Sequence, residues 1–254
     1  MTVTAPDGYR VLGSGRSSDG VRWLAAGARD VAFTIGRFVV VEATAEAPHP
    51  VAVTVGVAES LVASEDAAAY ATEAAGALQA FAERFGAYPW RQLTVAITGD
   101  LAGGIEFPGH MMLGPGTIGR TNVHEVAHQW FYALVGNNQA RDPLLDEGLA
   151  SYAELSHEGL LEAARDWVPP PEAVAQANRS MEFWEQHLDA YYLGVYVLGA
   201  RALAALGSTD DVDCALRRYV AAEGFAIATP GQLLAALSNV FPTATAVLVP
   251  YGVG

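Results

Sequence analysis

Apolar and polar positions along the chain change period part of the way through. Up to about residue 60, short runs rich in β-branched residues (VRWLAAG, DVAFTIGRFVVVEATA, VAVTVGVAE) are separated by Asp-Gly, Gly and Pro signals, and they predict strands. From Asp66 the period lengthens. DAAAYATEAAGALQAFAERFG carries apolar residues at helical spacing and ends on a glycine, as a helix C-terminus does. RQLTVAITGD predicts a buried strand, and GGIEFPGHMML a short edge strand whose pairing Pro108 limits. After Thr121 the spacing predicts helices near 121–135, 144–158, 172–186, 189–206, 209–222 and 230–239. Strands first and helices later predict an α+β fold rather than a repeating βαβ pattern. No internal repeat is visible, and Pro169 to Pro171 read as a turn between helices. The APHP stretch (Ala47 to Pro50) marks the expected domain boundary. It divides the chain into 1–46, the end of a β domain, and 47–254.

Composition narrows the partners. The chain has 254 residues, 52% hydrophobic and 17% charged, which suffices for a sizeable core. Its net charge is −14, and all 14 basic residues are arginine. Such a surface argues against nucleic acid, which requires a basic face. A single cysteine, Cys214, excludes an intrachain disulfide and a Cys-rich metal motif. The opening MTVTAPDGYRVLG has neither a basic start nor an apolar core region, so it is not read as a signal peptide. No apolar run reaches the ~18 residues of a membrane span. The chain opens in mid-strand style and is expected to be a piece of a longer protein. Its compartment stays open.

The chemistry concentrates in VHEVAHQWF, Val123 to Phe131. His124 and His128 are four residues apart, so a helix carries both imidazoles on one face, one turn apart. Two imidazoles so placed can share a tetrahedral Zn²⁺. Glu125 is rotated off the metal direction and can address a water rather than the metal. The helix pattern ends at Gly136 and the Asn137–Asn138 pair, and the chain returns through LLDEGLASYAEL. Eighteen residues separate His128 from Glu147 on that second helix. Adjacent antiparallel helices could bring Glu147 to the same metal, leaving one coordination position open, as in a catalytic site.

Together, HEVAHQWF, the glutamate of DEGLASYAE and the upstream GGIEFPG resemble the aminopeptidase N family of gluzincin zinc peptidases. That family reads HExxHxWF…NEGFAxYxE after a G-x-M-E-N or GGMEYPG motif. The resemblance covers roughly residues 50 to 210. It implies a thermolysin-like catalytic domain, with residues 1–46 as the end of the family's N-terminal β domain. It implies one zinc per chain held by His124, His128 and Glu147, with Glu125 as general base. Glu106 matches the acid that holds the substrate's free α-amino group, and the adjacent Gly103 and Gly104 would let a substrate backbone approach. Tyr191, in YYLGVYVLGA, matches the tyrosine that stabilises the oxyanion. The sequence departs from the family at Leu193, where lysine is common, at Ile105, which replaces methionine, and at Phe107.

The implied activity is hydrolysis of N-terminal residues from peptides. The alternatives are an endopeptidase of the same fold and a non-catalytic scaffold. Asp146, Ser151 and Glu154 are candidates to orient the histidines, although Glu154 also suits a solvated face. His110, His157 and His187 have no motif support and read as surface or packing residues. Full activity is expected to need the family's remaining domains, so weak or absent turnover is expected of this chain alone.

Overall fold

A computed structural model describes residues 1–253. The chain forms two compact units, Met1–Glu83 with Ala87–Gln129, and Arg84–Gly86 with the chain from Trp130 onward.

The first unit is built on strands. β1 (Arg10–Gly13), β2 (Arg16–Ser17), β3 (Trp23–Leu24) and β4 (Phe33–Gly36) make two small antiparallel pairs, β1 with β4 and β2 with β3. β5 (Phe38–Glu46) and β6 (Pro50–Ala58) follow, then α1 (Ala67–Phe85), β7 (Gln92–Ile97), β8 (Gly104–Phe107), β9 (His110–Leu113) and α2 (Arg120–Ala127). Five of these strands form one mixed sheet in the order β5-β6-β7-β9-β8. β6 runs parallel to β7 and β7 parallel to β9, while both outer strands are antiparallel to their neighbours. The crossover between β6 and β7 is α1, the expected device for joining parallel strands. Val51, Val53, Val55 and Val57 on β6 are buried in alternation, whereas Leu93 to Ile97 on β7, a central strand with parallel neighbours, are buried on both faces. α1 buries Tyr70, Ala74, Leu78, Phe81 and Phe85 at helical spacing.

The second unit is helical. It comprises α3 (Glu147–His157), α4 (Leu161–Ala164), α5 (Met181–Trp184), α6 (Leu188–Tyr191), a π-helical segment (Tyr192–Val197), α7 (Leu198–Ala204), α8 (Thr209–Glu223), α9 (Pro230–Ser238) and α10 (Ala244–Leu248). Among the described residues no single helix is long and apolar enough to cross a membrane.

The α+β reading holds, and several local expectations are corrected. The APHP segment is the turn of a hairpin. β5 and β6 pair from Phe38↔Ala58 to Glu46↔Pro50, so the strand ending at Glu46 belongs to the same sheet as the strands that follow it. GGIEFPGHMML is two strands rather than one. Pro108 and Gly109 form the turn, with Gly109 at φ +68°, and only β8 is at the sheet edge. The helix expected over 121–135 stops at Ala127. Its apolar continuation instead pairs main chain with residues 225–228, through Phe225 N–H to Leu134 O, Gly136 N–H to Ala226 O and Ala228 N–H to Gly136 O. Tertiary pairing there overrides helical periodicity. The segment 172–186 holds only the end of a 3-10 turn (Pro171–Ala173) and the short α5. Its preceding backbone bonds elsewhere, with Ala177 N–H donating to Tyr251 O and Met181 N–H to Ala140 O.

Candidate metal centre

α2 carries His124 and is capped at its C-terminus by His128, and it begins without a cap of its own. Gly119 precedes it at φ +90° and offers no side chain. The cap comes from α1. The Glu73 carboxylate accepts from Gly119 N–H at 2.9 and 3.0 Å and from Asn122 Nδ2 at 2.7 Å. A carboxylate there answers the positive end of the helix and its unpaired amides. The Tyr70 hydroxyl accepts from the Thr117 and Ile118 amides at 3.0 Å each and donates to Glu65 at 2.9 Å. Burial holds that hydroxyl above the ordinary tyrosine range, so it remains protonated. These bonds fix where the helix starts.

His124 and His128 are both buried. Their Nε2 atoms are 3.0 Å apart, and their rings meet edge to face with centroids 4.7 Å apart. Two imidazole nitrogens turned toward one point match the nitrogen donors that a Zn²⁺ ion takes. Glu125, also buried, is the next residue round the helix.

β8 lies against α2. Side chains alternate along a strand, so Gly104 and Glu106 share one face. That face is the one toward Glu125. A Cβ built on Gly104 would collide with Glu125 Oε1 and would lie 2.5 Å from both its Cδ and Cγ. Glu106, Glu125 and His128 each place a ligating atom within 4.8 Å of the others. Gly103 is different. It sits at φ +87°, and nothing lies within 4 Å of its Cβ position. The space beside Gly104 is thus taken by Glu125, whereas the space beside Gly103 is open.

Two residues here carry more than their sequence reading. Gln129, directly after His128, is fully buried, and its amide bonds the β8–β9 turn. Nε2 donates to Phe107 O at 3.0 Å and Oε1 accepts from Gly109 N–H at 2.9 Å. A lone amide inside an apolar run was the available signal. His110, read as surface or packing, is fully buried. Its Nδ1 is 2.7 Å from Thr94 Oγ1 and its Nε2 2.9 Å from Thr34 Oγ1, which ties β4 to the main sheet. Burial depresses its pKa to about 4, so the ring is neutral near pH 7.

In the second unit, Glu147 is the first residue of α3, and Asp146 caps that helix by accepting from Glu147 N–H at 3.0 Å. Ser151 and Glu154 lie on the same helix and are buried, so Glu154 is not the solvated residue its type suggested. α3 crosses α7 through two glycines. A Cβ on Gly199 would stand 2.9 Å from the Gly148 Cα, so residue 199 has no room for a side chain. The helix that begins at Glu147 is held by this close approach.

Tyr191 ends α6, immediately before the π-helical segment. Its ring packs 5.8 Å from Trp184 and 5.6 Å from Tyr196. Trp184 is fully buried and fills the space over Gly194, where an added Cβ would overlap its Cη2 and lie 2.8 Å from its Cζ3. Gly194 therefore shapes the aromatic seat of Tyr191. His157 is exposed and His187 partly exposed.

No family model and no curated protein matches this sequence. Solved structures do match in shape. The chain is similar to an M1 zinc metallopeptidase from Deinococcus radiodurans, with a TM-score of 0.76 and 21% identity. It is equally similar to a mutant of a two-domain M1 zinc metallopeptidase bound to L-arginine, with a TM-score of 0.78 and 20% identity. A Deinococcus radiodurans M1 mutant bound to a Tyr-Ser-Ala substrate matches at a TM-score of 0.74 and 20% identity. Each alignment covers 98% of this chain and 62% of the other, so the chain spans less than two thirds of those proteins. The fold resemblance expected from HEVAHQWF, DEGLASYAE and GGIEFPG is thereby found: the chain has the fold of the M1 zinc metallopeptidases.

Proposed function

We propose that this chain is the thermolysin-like catalytic part of a zinc aminopeptidase that removes N-terminal residues from peptides. The observation that carries the reading is the facing Nε2 pair of His124 and His128 on a buried helix, with Glu125 and Glu106 beside it. Glu147 is assigned as the third zinc ligand. Its support is its place in a DEG motif, with eighteen residues between it and His128, at the start of a helix capped by Asp146. The similar proteins are described as zinc metallopeptidases, one of them bound to a Tyr-Ser-Ala substrate, which supports peptides as the substrate class.

Bound zinc would supply Lewis acidity, activating water and polarising the scissile carbonyl. The rest falls to side chains. Glu125 takes the proton from the attacking water and delivers it to the leaving amine. Tyr191 donates its hydroxyl proton in a hydrogen bond to the developing oxyanion. Glu106 binds the substrate α-ammonium, which limits cleavage to the first peptide bond. The open side of Gly103 gives the substrate backbone room, and β8 at the sheet edge can pair with an extended peptide.

The test is turnover of aminoacyl anilides by wild type and Glu125→Gln, with metal content measured in both. Loss of turnover with zinc retained supports the reading; equal turnover above the uncatalysed rate in the two proteins defeats it.

A further inference from the structure

We propose that Gln129 is a positioning residue that sets where Glu106 stands relative to the metal helix, and so sets recognition of the substrate amino group. The inference rests on the assignment of Glu106 to the α-ammonium.

Gln129 spends both ends of its amide on one short turn. Phe107 O accepts from Nε2 and Gly109 N–H donates to Oε1, at 3.0 and 2.9 Å. The amide thus imitates a strand partner, offering one donor and one acceptor to the main chain on either side of Pro108. Tyr88 hydroxyl lies 3.4 Å from the same Oε1 while donating to Gln92 O at 3.0 Å, and burial keeps that hydroxyl protonated.

The position of this latch matters because β8 is a short strand at the sheet edge. It is four residues long and pairs with β9 on one edge, and among the described residues no strand pairs with its other edge. Glu106 is one residue before the latched carbonyl, and Gln129 is one residue after His128. The latch therefore joins the acid to the metal helix by the shortest covalent route at each end. Only glutamine fits the task. Glutamate cannot donate to Phe107 O, asparagine is one methylene short, and an apolar residue takes this partner from the buried Gly109 amide.

The experiment compares wild type, Gln129→Met and Gln129→Glu on an aminoacyl anilide and on its N-acetylated counterpart, with zinc content measured alongside. The expected result is a KM for the free-amino substrate raised about tenfold or more in both variants. The change in kcat is smaller, the preference for free over acetylated substrate falls, and zinc stays at the wild-type level. A general structural defect would instead lower zinc content and kcat while leaving that preference unchanged. An unchanged KM and preference in folded, zinc-loaded variants would overturn the latch and leave the proposed function standing. A wild-type chain that binds no zinc and processes neither substrate would overturn the proposed function, and this inference with it.

Discussion

Gly104 and Glu125 are packed so closely that the glycine hydrogen is all that fits between them. Any Cβ at residue 104 would overlap the Glu125 carboxylate. The constraint comes from a strand pressed against a helix, and the residue it constrains is the proposed general base. Gly104→Ala is therefore expected to lower kcat by about tenfold to a hundredfold by moving Glu125, because small misplacements of a reacting group are costly. Zinc content should be unchanged. Steady-state kinetics with metal analysis checks this; a variant of wild-type kcat would show that the carboxylate can relax without consequence.

Tyr191→Phe removes one hydroxyl and keeps the packing against Trp184 and Tyr196. Loss of an oxyanion donor typically reduces rate about 100- to 1000-fold. The expected result is a fall of that size in kcat with little change in KM or melting temperature. A change confined to melting temperature would make Tyr191 a packing residue only.

His110 predicts an acid-labile fold. Burial lowers its pKa to about 4 against 6.5 for the free side chain. Between those values the unfolded chain takes up a proton that the folded chain refuses, so stability is full above about pH 6.5 and declines as pH falls toward 4. The loss attributable to this group is on the order of 3 kcal/mol. Urea denaturation of wild type and His110→Gln across that range should give a smaller slope for the variant. Parallel slopes would remove His110 as the cause.

Arg84 predicts a second stability effect. Its guanidinium holds both Asp213 oxygens, at 2.7 and 3.0 Å, and also reaches Ser156 Oγ at 2.6 Å and Ala153 O at 3.3 Å. It thereby ties α3 to α8. Arg84→Ala leaves the mostly buried Asp213 without this cation and is expected to cost about 3 kcal/mol. Arg84→Lys should recover only part of that, since an ammonium cannot supply the planar fork. Equal stability of the Arg84→Ala variant and wild type, by urea denaturation, would contradict the assignment.

Local patterns in the sequence carried much of the fold. α1, β7, α8 and α9 follow from periodicity and glycine, and the histidine pair follows from i, i+4 spacing. Other features depend on distant partners. The helix stops at Ala127 and residues 134–136 bond residues 225–228 instead of continuing it, and nothing in HQWFYALVG signals that. Glu73 capping α2 from another helix was equally invisible. The packing of Gly104 depends on a distant partner in the same way: only the neighbouring Glu125 shows that no side chain fits there. The π-helical turn after Tyr191 follows no propensity rule, although the seating of Trp184 over Gly194 accounts for the glycine within it.

The central claim is the ligand set, and metal content tests it most directly. After exhaustive dialysis the wild-type chain should retain one zinc, and Glu125→Gln should retain the same amount. His124→Ala, His128→Ala and Glu147→Ala should each lose most of it while remaining folded by circular dichroism. A wild-type chain without zinc, or a Glu147→Ala variant that holds zinc as tightly as wild type, would contradict the account.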